Sequence, residues 1–160
     1  MSNNHINQDG SLHMIDVSHK DITVRTAKAS GYIVLNDAAF SSILELNNKK
    51  GDVLNTARIA AINAVKQTSN LIPLAHTIII TSVEVEFEFN KNKNIVQSFV
   101  KVKSEGKTGV EIETLVGVEI SLMTIYDMCK YLDKGMIIND VKLLSKTGGK
   151  NGDYLRSDND

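Results

Sequence analysis

The chain has 160 residues, of which 42% are hydrophobic and 23% charged, which is the composition of one ordinary soluble globular domain. Its formal net charge of −1 argues against bulk electrostatic attraction to nucleic acid or to an anionic membrane. The single cysteine, Cys129, excludes an intramolecular disulfide and favours a reducing compartment.

The ends of the chain are polar. The opening MSNNHINQDG lacks the charged start and apolar core of a signal peptide, and no apolar run approaches the length of a membrane span. We therefore expect a cytoplasmic protein without a membrane partner. We also expect one domain over residues 13–154, between flexible segments at 1–12 and 155–160.

The first third of the domain predicts a strand and two helices. Residues 30–35 (SGYIVL) are β-branched and aromatic and indicate a strand. Asn36 and Asp37 can cap a short helix that runs to about Leu46. From 52 to about 68, small and apolar residues recur at helical spacing and four alanines favour a helix that approaches its neighbours closely.

A hairpin is predicted next, from residues 78–89, a polar turn at 90–94 and a returning strand at 95–103. Glu84, Glu86 and Glu88 alternate with inward Val83, Val85, Phe87 and Phe89, and Lys101 and Lys103 share one face of the returning strand. We interpret the charged residues as a solvated sheet face on which opposite charges meet across the hairpin.

Residues 109–134 carry apolar side chains at helical spacing, with Thr108 as the predicted cap and Glu111 as its capping-box partner. A last strand is predicted at 136–144. The order β-α-β-β-α-β, with a small extra helix, is typical of the α+β ferredoxin-like split βαβ fold, which has two main helices on one face of an antiparallel sheet. The uncovered face or edges predict an oligomer.

Two lysine-bearing stretches are candidate anion sites. Lys49 and Lys50 precede a helix start, where backbone N–H groups favour an anion, but this is a weak signal because lysines before a helix are usually just solvated. The stretch LLSKTGGKNGDY at 143–154 places Lys146 and Lys150 among glycines that let backbone N–H groups converge, which also suits a mobile tail.

The long helix contains a candidate acid–base pair. Glu113 and Asp127 are four turns apart near one stripe, and Lys130 lies one turn beyond Asp127, within contact. An ordinary intrahelical ion pair is one reading. The other is a catalytic pair in which each group shifts the pKa of its partner.

Arg25 and His76 are isolated polar residues. His76 ends LIPLAH, next to the only proline, Pro73, where a lone histidine is either a structural turn residue or part of an active site. The histidines and cysteine lack zinc spacing, and the sequence has no dinucleotide fingerprint and no Walker loop. The residues alone leave these alternatives open.

Taken together, several stretches resemble the molybdenum cofactor biosynthesis protein C family of cyclic pyranopterin monophosphate synthases. The resemblance is collinear from about 13 to 154 and is carried by MIDVS (14–18), VRTA around Arg25, KKGDVLNTARIAAINAVKQTSNLIPLAH (49–76), GKTGVEIETL (106–115), TIYDMCKYLDKGM (124–136) and LLSKTGGKNGD (143–153).

The resemblance implies a cytoplasmic lyase of molybdopterin biosynthesis, assembled as a homohexamer, a trimer of dimers. It would convert (8S)-3′,8-cyclo-7,8-dihydroguanosine 5′-triphosphate to cyclic pyranopterin monophosphate and pyrophosphate. The only partners implied are this small molecule and further copies of the chain. No resident cofactor or protein-held metal is implied; Mg²⁺ is compatible with the triphosphate, but the sequence has no carboxylate cage for it.

By motif position, Asp127 and Lys130 match the catalytic pair of the family. The substrate-binding positions are matched by Leu74, Ala75, His76, Ile112, Glu113, Lys50, Arg25 and Lys146. The family pocket lies at a dimer interface, so the sequence leaves open which copy supplies Lys146 and Arg25. The alternative is a non-catalytic homologue that binds a nucleotide or pterin.

The chain departs from the family pattern at several positions. Ala75 and Thr77 flank His76 where Cys and Pro are usual, and Ile112 replaces a Met. Ser145 stands where an acidic residue is frequent, and Asp153 often gives way to His. All charged candidates are retained, and backbone contacts of the turn can survive both changes beside His76, so we expect an active enzyme.

Overall fold

The computed structural model describes residues 5–150 and 152–157. Its elements in chain order are β1 (Thr23–Val34), α1 (Asp37–Leu44), α2 (Val53–Leu71), β2 (Ile80–Asn90), β3 (Ile95–Gly106), α3 (Glu111–Cys129), β4 (Ile137–Thr147) and β5 (Tyr154–Leu155). Asn36 and Asp52 cap α1 and α2 through their side chains, as the sequence suggests for Asn36.

The five strands form one sheet in the order β2-β3-β1-β4-β5, and every neighbouring pair is antiparallel. The long helices α2 and α3 pack on each other, and α3 also packs against β1, β3 and β4. This arrangement confirms the predicted α+β ferredoxin-like architecture. The short β5 extends the sheet beyond the predicted elements.

The hairpin of β2 and β3 has the predicted register. Glu84 pairs with Lys101, and their Oε2 and Nζ atoms lie 3.3 Å apart on the solvated face. Val85 is buried on the other face, and Phe89, although 37% exposed, packs edge-on against Phe40 at a centroid distance of 5.9 Å. The alternation along β2 therefore indicates correctly which side faces the helices.

The first strand is longer than the sequence predicts. It begins at Thr23 instead of residue 30 because β3 pairs with it from Thr23 and β4 from Thr26. Arg25 and Lys28 lie in this added part, where polar side chains hide the strand pattern. The predicted start of the strand at residue 30 is therefore wrong, and Arg25 lies within β1.

The predicted cap of α3 is also wrong. Val110 occupies the N-cap position and makes no side-chain cap hydrogen bond, so Thr108 does not cap the helix. The Glu111 carboxylate instead accepts a hydrogen bond from Lys146 Nζ at 2.7 Å, and this ion pair uses the group that a capping box would need. The helix accordingly begins at Glu111, two residues after the predicted start.

The helix layer approaches the sheet closely at Gly117. A Cβ atom at this position would lie 2.9 Å from a Val65 methyl on α2 and 3.1 Å from a Val100 methyl on β3. Ala57 and Ala61 on α2 are fully buried, as expected for an alanine-rich helix that packs closely. This packing fixes α3, whose two ends carry candidate functional residues.

Within residues 5–150 and 152–157, none of the helices is long and apolar enough to cross a membrane. The predicted flexible segments fall partly on residues 1–4 and 158–160, which lie outside the described residues. In the described part of the predicted N-terminal segment, Ile6 and Leu12 form an isolated antiparallel bridge. The domain boundaries stay a prediction.

Candidate active site

A cavity of about 240 Å³ lies at the N-terminal end of α3. Five of the predicted substrate-binding residues line it together: Leu74, Ala75, His76, Ile112 and Glu113. These residues come from two segments that are about forty positions apart in the sequence, so the fold alone brings them together. The LIPLAH turn therefore forms one wall of this cavity.

The turn after α2 positions His76. The helix ends at Leu71, and the N–H of Ala75 donates to the carbonyl of Ile72 at 3.0 Å, which reverses the chain. The imidazole Nε2 of His76 lies 2.8 Å from the carbonyl oxygen of Ile15, in the segment that covers the cavity. The histidine is thus held at the cavity wall from both sides.

Glu113 is the buried carboxyl group of the cavity, with only 4% of its surface exposed. Burial raises the pKa of Glu113, because the charged form loses its hydration, and the neighbouring charge of Glu111 raises it further. A carboxyl group whose pKa is raised can exchange a proton nearer neutral pH, which is a property of general acids and bases.

A second cavity, of about 200 Å³, adjoins the first and shares Lys20, Thr108 and Gly109 with it. Arg25 and Lys146 line this second cavity. Three further lysines complete the cationic lining: Lys20, Lys107 and Lys150. Lys150 lies in its glycine-rich stretch and Lys107 in the GKTGVEIETL motif, whereas the isolated Lys20 has no sequence signal.

Arg25 and Lys146 are held by fixed partners. Arg25 is 8% exposed, and its Nε donates to the carbonyl of Gly106 at 3.2 Å. Lys146 pairs with Glu111, the first residue of α3. Both cations are therefore positioned by the backbone and by the helix start, so little side-chain freedom remains to be lost on binding an anion.

The predicted catalytic pair lies at the other end of α3. Asp127 Oδ1 and Lys130 Nζ are 2.7 Å apart, and Lys50 Nζ approaches Asp127 Oδ2 at 3.2 Å and donates to the Asp127 carbonyl at 2.6 Å. Lys50 comes from the turn before α2. The structure therefore adds a second cation to the predicted pair.

These contacts shift the protonation of the pair. Hydrogen bonds from Lys130 and Lys50, together with their charges, lower the pKa of Asp127. The hydrogen bond and charge of Asp127 raise the pKa of Lys130. These shifts follow from the ion pair itself, so the catalytic reading of the pair stays a prediction. At neutral pH the contact joins an ammonium group to a carboxylate, and the carboxylate orients Lys130 Nζ.

Within one chain the candidate residues form two separate groups. Glu113 and Asp127 are 14 residues apart on α3, which at 1.5 Å per residue places their backbones about 21 Å apart. Seven candidates lie at the N-terminal end and three at the C-terminal end. One chain does not bring all ten together.

The chemistry available at the N-terminal end is anion binding beside a buried proton-exchanging carboxyl group. At the C-terminal end it is proton donation by a charged lysine. Across the described ranges, 5–150 and 152–157, no group of three or more His, Cys, Asp or Glu side chains is placed to hold a metal ion.

Comparison with known proteins shows which family the chain belongs to. The sequence model of the MoaC family matches residues 14–149. This chain belongs to the MoaC family. The matched range includes every candidate residue of both groups, from Arg25 to Lys146.

Curated relatives of the MoaC chain share its full length. A protein named cyclic pyranopterin monophosphate synthase from Campylobacter lari is 51% identical over 157 residues, which cover 98% of this chain and 100% of the relative. Proteins of the same name from Helicobacter hepaticus and Staphylococcus haemolyticus are 47% and 46% identical. Each alignment covers at least 95% of this chain and 97% of the relative.

Proposed function

We propose that this chain is a cyclic pyranopterin monophosphate synthase, a lyase of molybdenum cofactor biosynthesis. It would convert (8S)-3′,8-cyclo-7,8-dihydroguanosine 5′-triphosphate to cyclic pyranopterin monophosphate and pyrophosphate. The observation that carries the proposal is the 46–51% identity, over nearly the whole chain, with proteins of that name. The two charged groups on α3 suit the chemistry, which needs cations for a triphosphate and positioned groups for proton transfer.

The triphosphate is assigned to the cationic cavity. Arg25 and Lys146 are the predicted anion contacts, and Lys20, Lys107 and Lys150 add charge around the same cavity. The α3 N-terminus borders this cavity and has no side-chain cap, so its first N–H groups and the helix dipole can stabilise the departing pyrophosphate. Mg²⁺ is compatible with the triphosphate as a counter-ion, and the proposal includes no resident cofactor.

The proton-transfer roles follow from the protonation states. Lys130 acts as the proton donor, and Asp127 orients its ammonium group at 2.7 Å. Glu113, whose pKa burial raises, accepts and returns a proton beside His76 at the wall of the adjoining cavity. Lys50 binds Asp127 in the free chain and is a further cation for the substrate.

The separation along α3 implies that two copies complete each site. The outer face of α3 exposes apolar side chains: Ile112 is 44% exposed, and Met123, three turns later on the same face, is 56% exposed. Two such helices packed antiparallel about an axis near residue 120 would place position 113 of one copy opposite position 127 of the other. Dimers of this kind are the building block of the proposed homohexamer, a trimer of dimers in the cytoplasm.

The test is turnover. Purified protein, incubated with the cyclic dihydro-GTP intermediate, should release pyrophosphate and yield cyclic pyranopterin monophosphate, detected by mass spectrometry. A reference synthase run in parallel validates the substrate. Binding of the intermediate without product, while the reference enzyme turns over, would replace the proposal with the non-catalytic alternative.

A further inference from the structure

The MIDVS motif at residues 14–18 has no assigned role in the candidate active site. In the fold it lies against the cavity at the N-terminal end of α3, where Ile15 and Val17 line the same wall as His76. The segment precedes β1 and belongs to no helix or strand. Its conformation is therefore determined by its own turns and by its contacts with the rest of the chain.

The backbone of this segment is fixed by a local turn and a distant lysine. Asp16 Oδ1 accepts the N–H of Ser18 at 2.7 Å, which is the geometry of an Asx turn, and Asp16 Oδ2 accepts the Ser18 hydroxyl at 3.0 Å. The N–H of Lys20 donates to the Val17 carbonyl at 3.0 Å. The ammonium of Lys107 also donates to the Ser18 carbonyl.

The carbonyl group of Ile15 points from this segment toward His76, and its oxygen lies 2.8 Å from the imidazole Nε2. A carbonyl oxygen only accepts hydrogen bonds, so this contact requires a hydrogen on Nε2. In a neutral imidazole the other nitrogen then carries none. The contact therefore selects the Nε2–H tautomer and leaves Nδ1 as the acceptor.

We propose that the MIDVS segment is a positioning element that sets the tautomer of His76 through the Ile15 carbonyl. His76 then presents Nδ1 to an N–H or O–H donor of the ligand in the cavity. This inference rests on the proposed function for the identity of that ligand. The segment acts through His76 and does not itself touch the reacting atoms.

The tautomer is measured directly by ¹⁵N NMR of the histidine side chains in the full-length protein at alkaline pH. A His76→Gln sample identifies the signals of His76 among those of the four histidines. We expect Nε2 to be protonated and Nδ1 unprotonated. A predominant Nδ1–H form in the wild-type protein would overturn the inference.

Variants of the turn connect the tautomer to the segment. Asp16→Ala removes the Asx turn, and we expect both tautomers to appear and kcat to fall by about threefold to tenfold, the range of one lost hydrogen bond. Asp16→Asn retains a side-chain oxygen for the turn and should behave as wild type. If Asp16→Ala leaves both the tautomer and kcat unchanged, the segment does not position His76.

The chain offers a matched control in Asp9. Asp9 Oδ1 accepts the N–H of Ser11 at 2.9 Å and its hydroxyl at 2.6 Å, and neither residue lines the cavity. Asp9→Ala therefore removes an equivalent turn and should leave the His76 tautomer as in wild type. The NMR result does not depend on turnover, so it decides this inference even if the proposed reaction is not observed.

Discussion

At the residue scale, the central feature is that the Asp127 carboxylate forms ion pairs with two lysines. Lys130 and Lys50 both reach its carboxylate, at 2.7 and 3.2 Å, while all three side chains keep contact with solvent. Exposed ion pairs contribute little to stability, so the cluster adds little to folding. Its clear effect is geometric, because the shared carboxylate holds both ammonium groups at the C-terminal end of α3.

Replacing Lys130 with alanine should lower kcat at least about 100-fold, because a positioned general acid is lost. Lys130→Arg restores the charge but not the proton donation, because a guanidinium group does not release its proton. It should therefore recover substrate binding without recovering turnover. Steady-state kinetics and binding measurements with the intermediate check both variants.

The matched control for Lys130 is Lys134→Ala, an exposed lysine one turn further along the chain. It should leave kcat and the oligomeric state unchanged. Near-normal turnover in Lys130→Ala, or an equal loss in Lys134→Ala, would contradict the role assigned to Lys130.

Glu113 gives a prediction about pH and stability. Its folded-state pKa is raised by burial above the ordinary value of 4.5, so its charged form opposes folding at neutral pH. That penalty is absent below the unfolded-state pKa and develops as the pH rises through the folded-state pKa. Glu113→Gln should therefore raise the Tm at pH 7 and lose turnover, and the gain in Tm should shrink toward pH 4.

Thermal unfolding of wild type and Glu113→Gln across this pH range measures the effect, with Glu119→Gln as an exposed control on the same helix. If Glu113→Gln instead has a lower Tm than wild type at pH 7, the buried carboxylate is stabilised in the folded chain, and the assignment of a raised pKa to Glu113 is wrong.

The turn that holds His76 tolerates its unusual neighbours. Ala75 contributes its backbone N–H, bonded to Ile72, and this contact does not depend on a thiol. Thr77 replaces the rigidity of a proline by a hydroxyl contact to the Ser69 hydroxyl at 3.4 Å. Both departures from the family pattern are therefore compatible with a correctly placed His76.

At the scale of elements, α3 is the critical part, because its packing sets the position of both functional ends. At Gly117 this helix leaves no room for a Cβ atom between itself, α2 and β3. Gly117→Ala should destabilise the fold by about 1–3 kcal/mol, since overpacking outweighs the gain of about 1 kcal/mol in helix propensity. Chemical denaturation measures this free energy of unfolding.

An alanine substitution at an exposed position of the same helix separates the effect of packing on stability from the effect of helix propensity. Glu119→Ala should change the free energy of unfolding by no more than about 0.5 kcal/mol. A Gly117→Ala variant as stable as wild type would mean that α3 can shift away from the sheet, and its ends would then not be fixed by packing.

The sequence predicts these elements well where a single periodicity dominates. The alternation of β2 and the alanines of α2 each indicate the correct element and the correct buried face. The prediction fails where tertiary contacts decide. Thr108 and Glu111 read as a capping box, but Lys146, 35 residues away from Glu111, binds the carboxylate. Pairing with β3 likewise extends β1 through Arg25.

At the scale of the whole molecule, the motifs of the sequence identify the candidate residues but not their grouping. The spacing of Glu113 and Asp127 predicts a shared stripe on α3, which suggests one site. The length of α3 instead separates them by about 21 Å. Lys20 joins the cationic lining only through folding, because it is isolated in the sequence. The proposed site therefore takes one end of α3 from each of two copies.

Complementation between two inactive chains tests this central claim most directly. Lys130→Ala damages only the C-terminal end of α3, and Glu113→Gln damages only the N-terminal end. When the two chains are co-expressed in equal amounts, half of the dimers contain one of each, and each such dimer has one intact site. Turnover should recover to about a quarter of the wild-type rate, the statistical maximum for a two-fold interface. A mixture no more active than either variant alone would show that both ends of α3 act within a single chain, which would contradict a site shared between two copies.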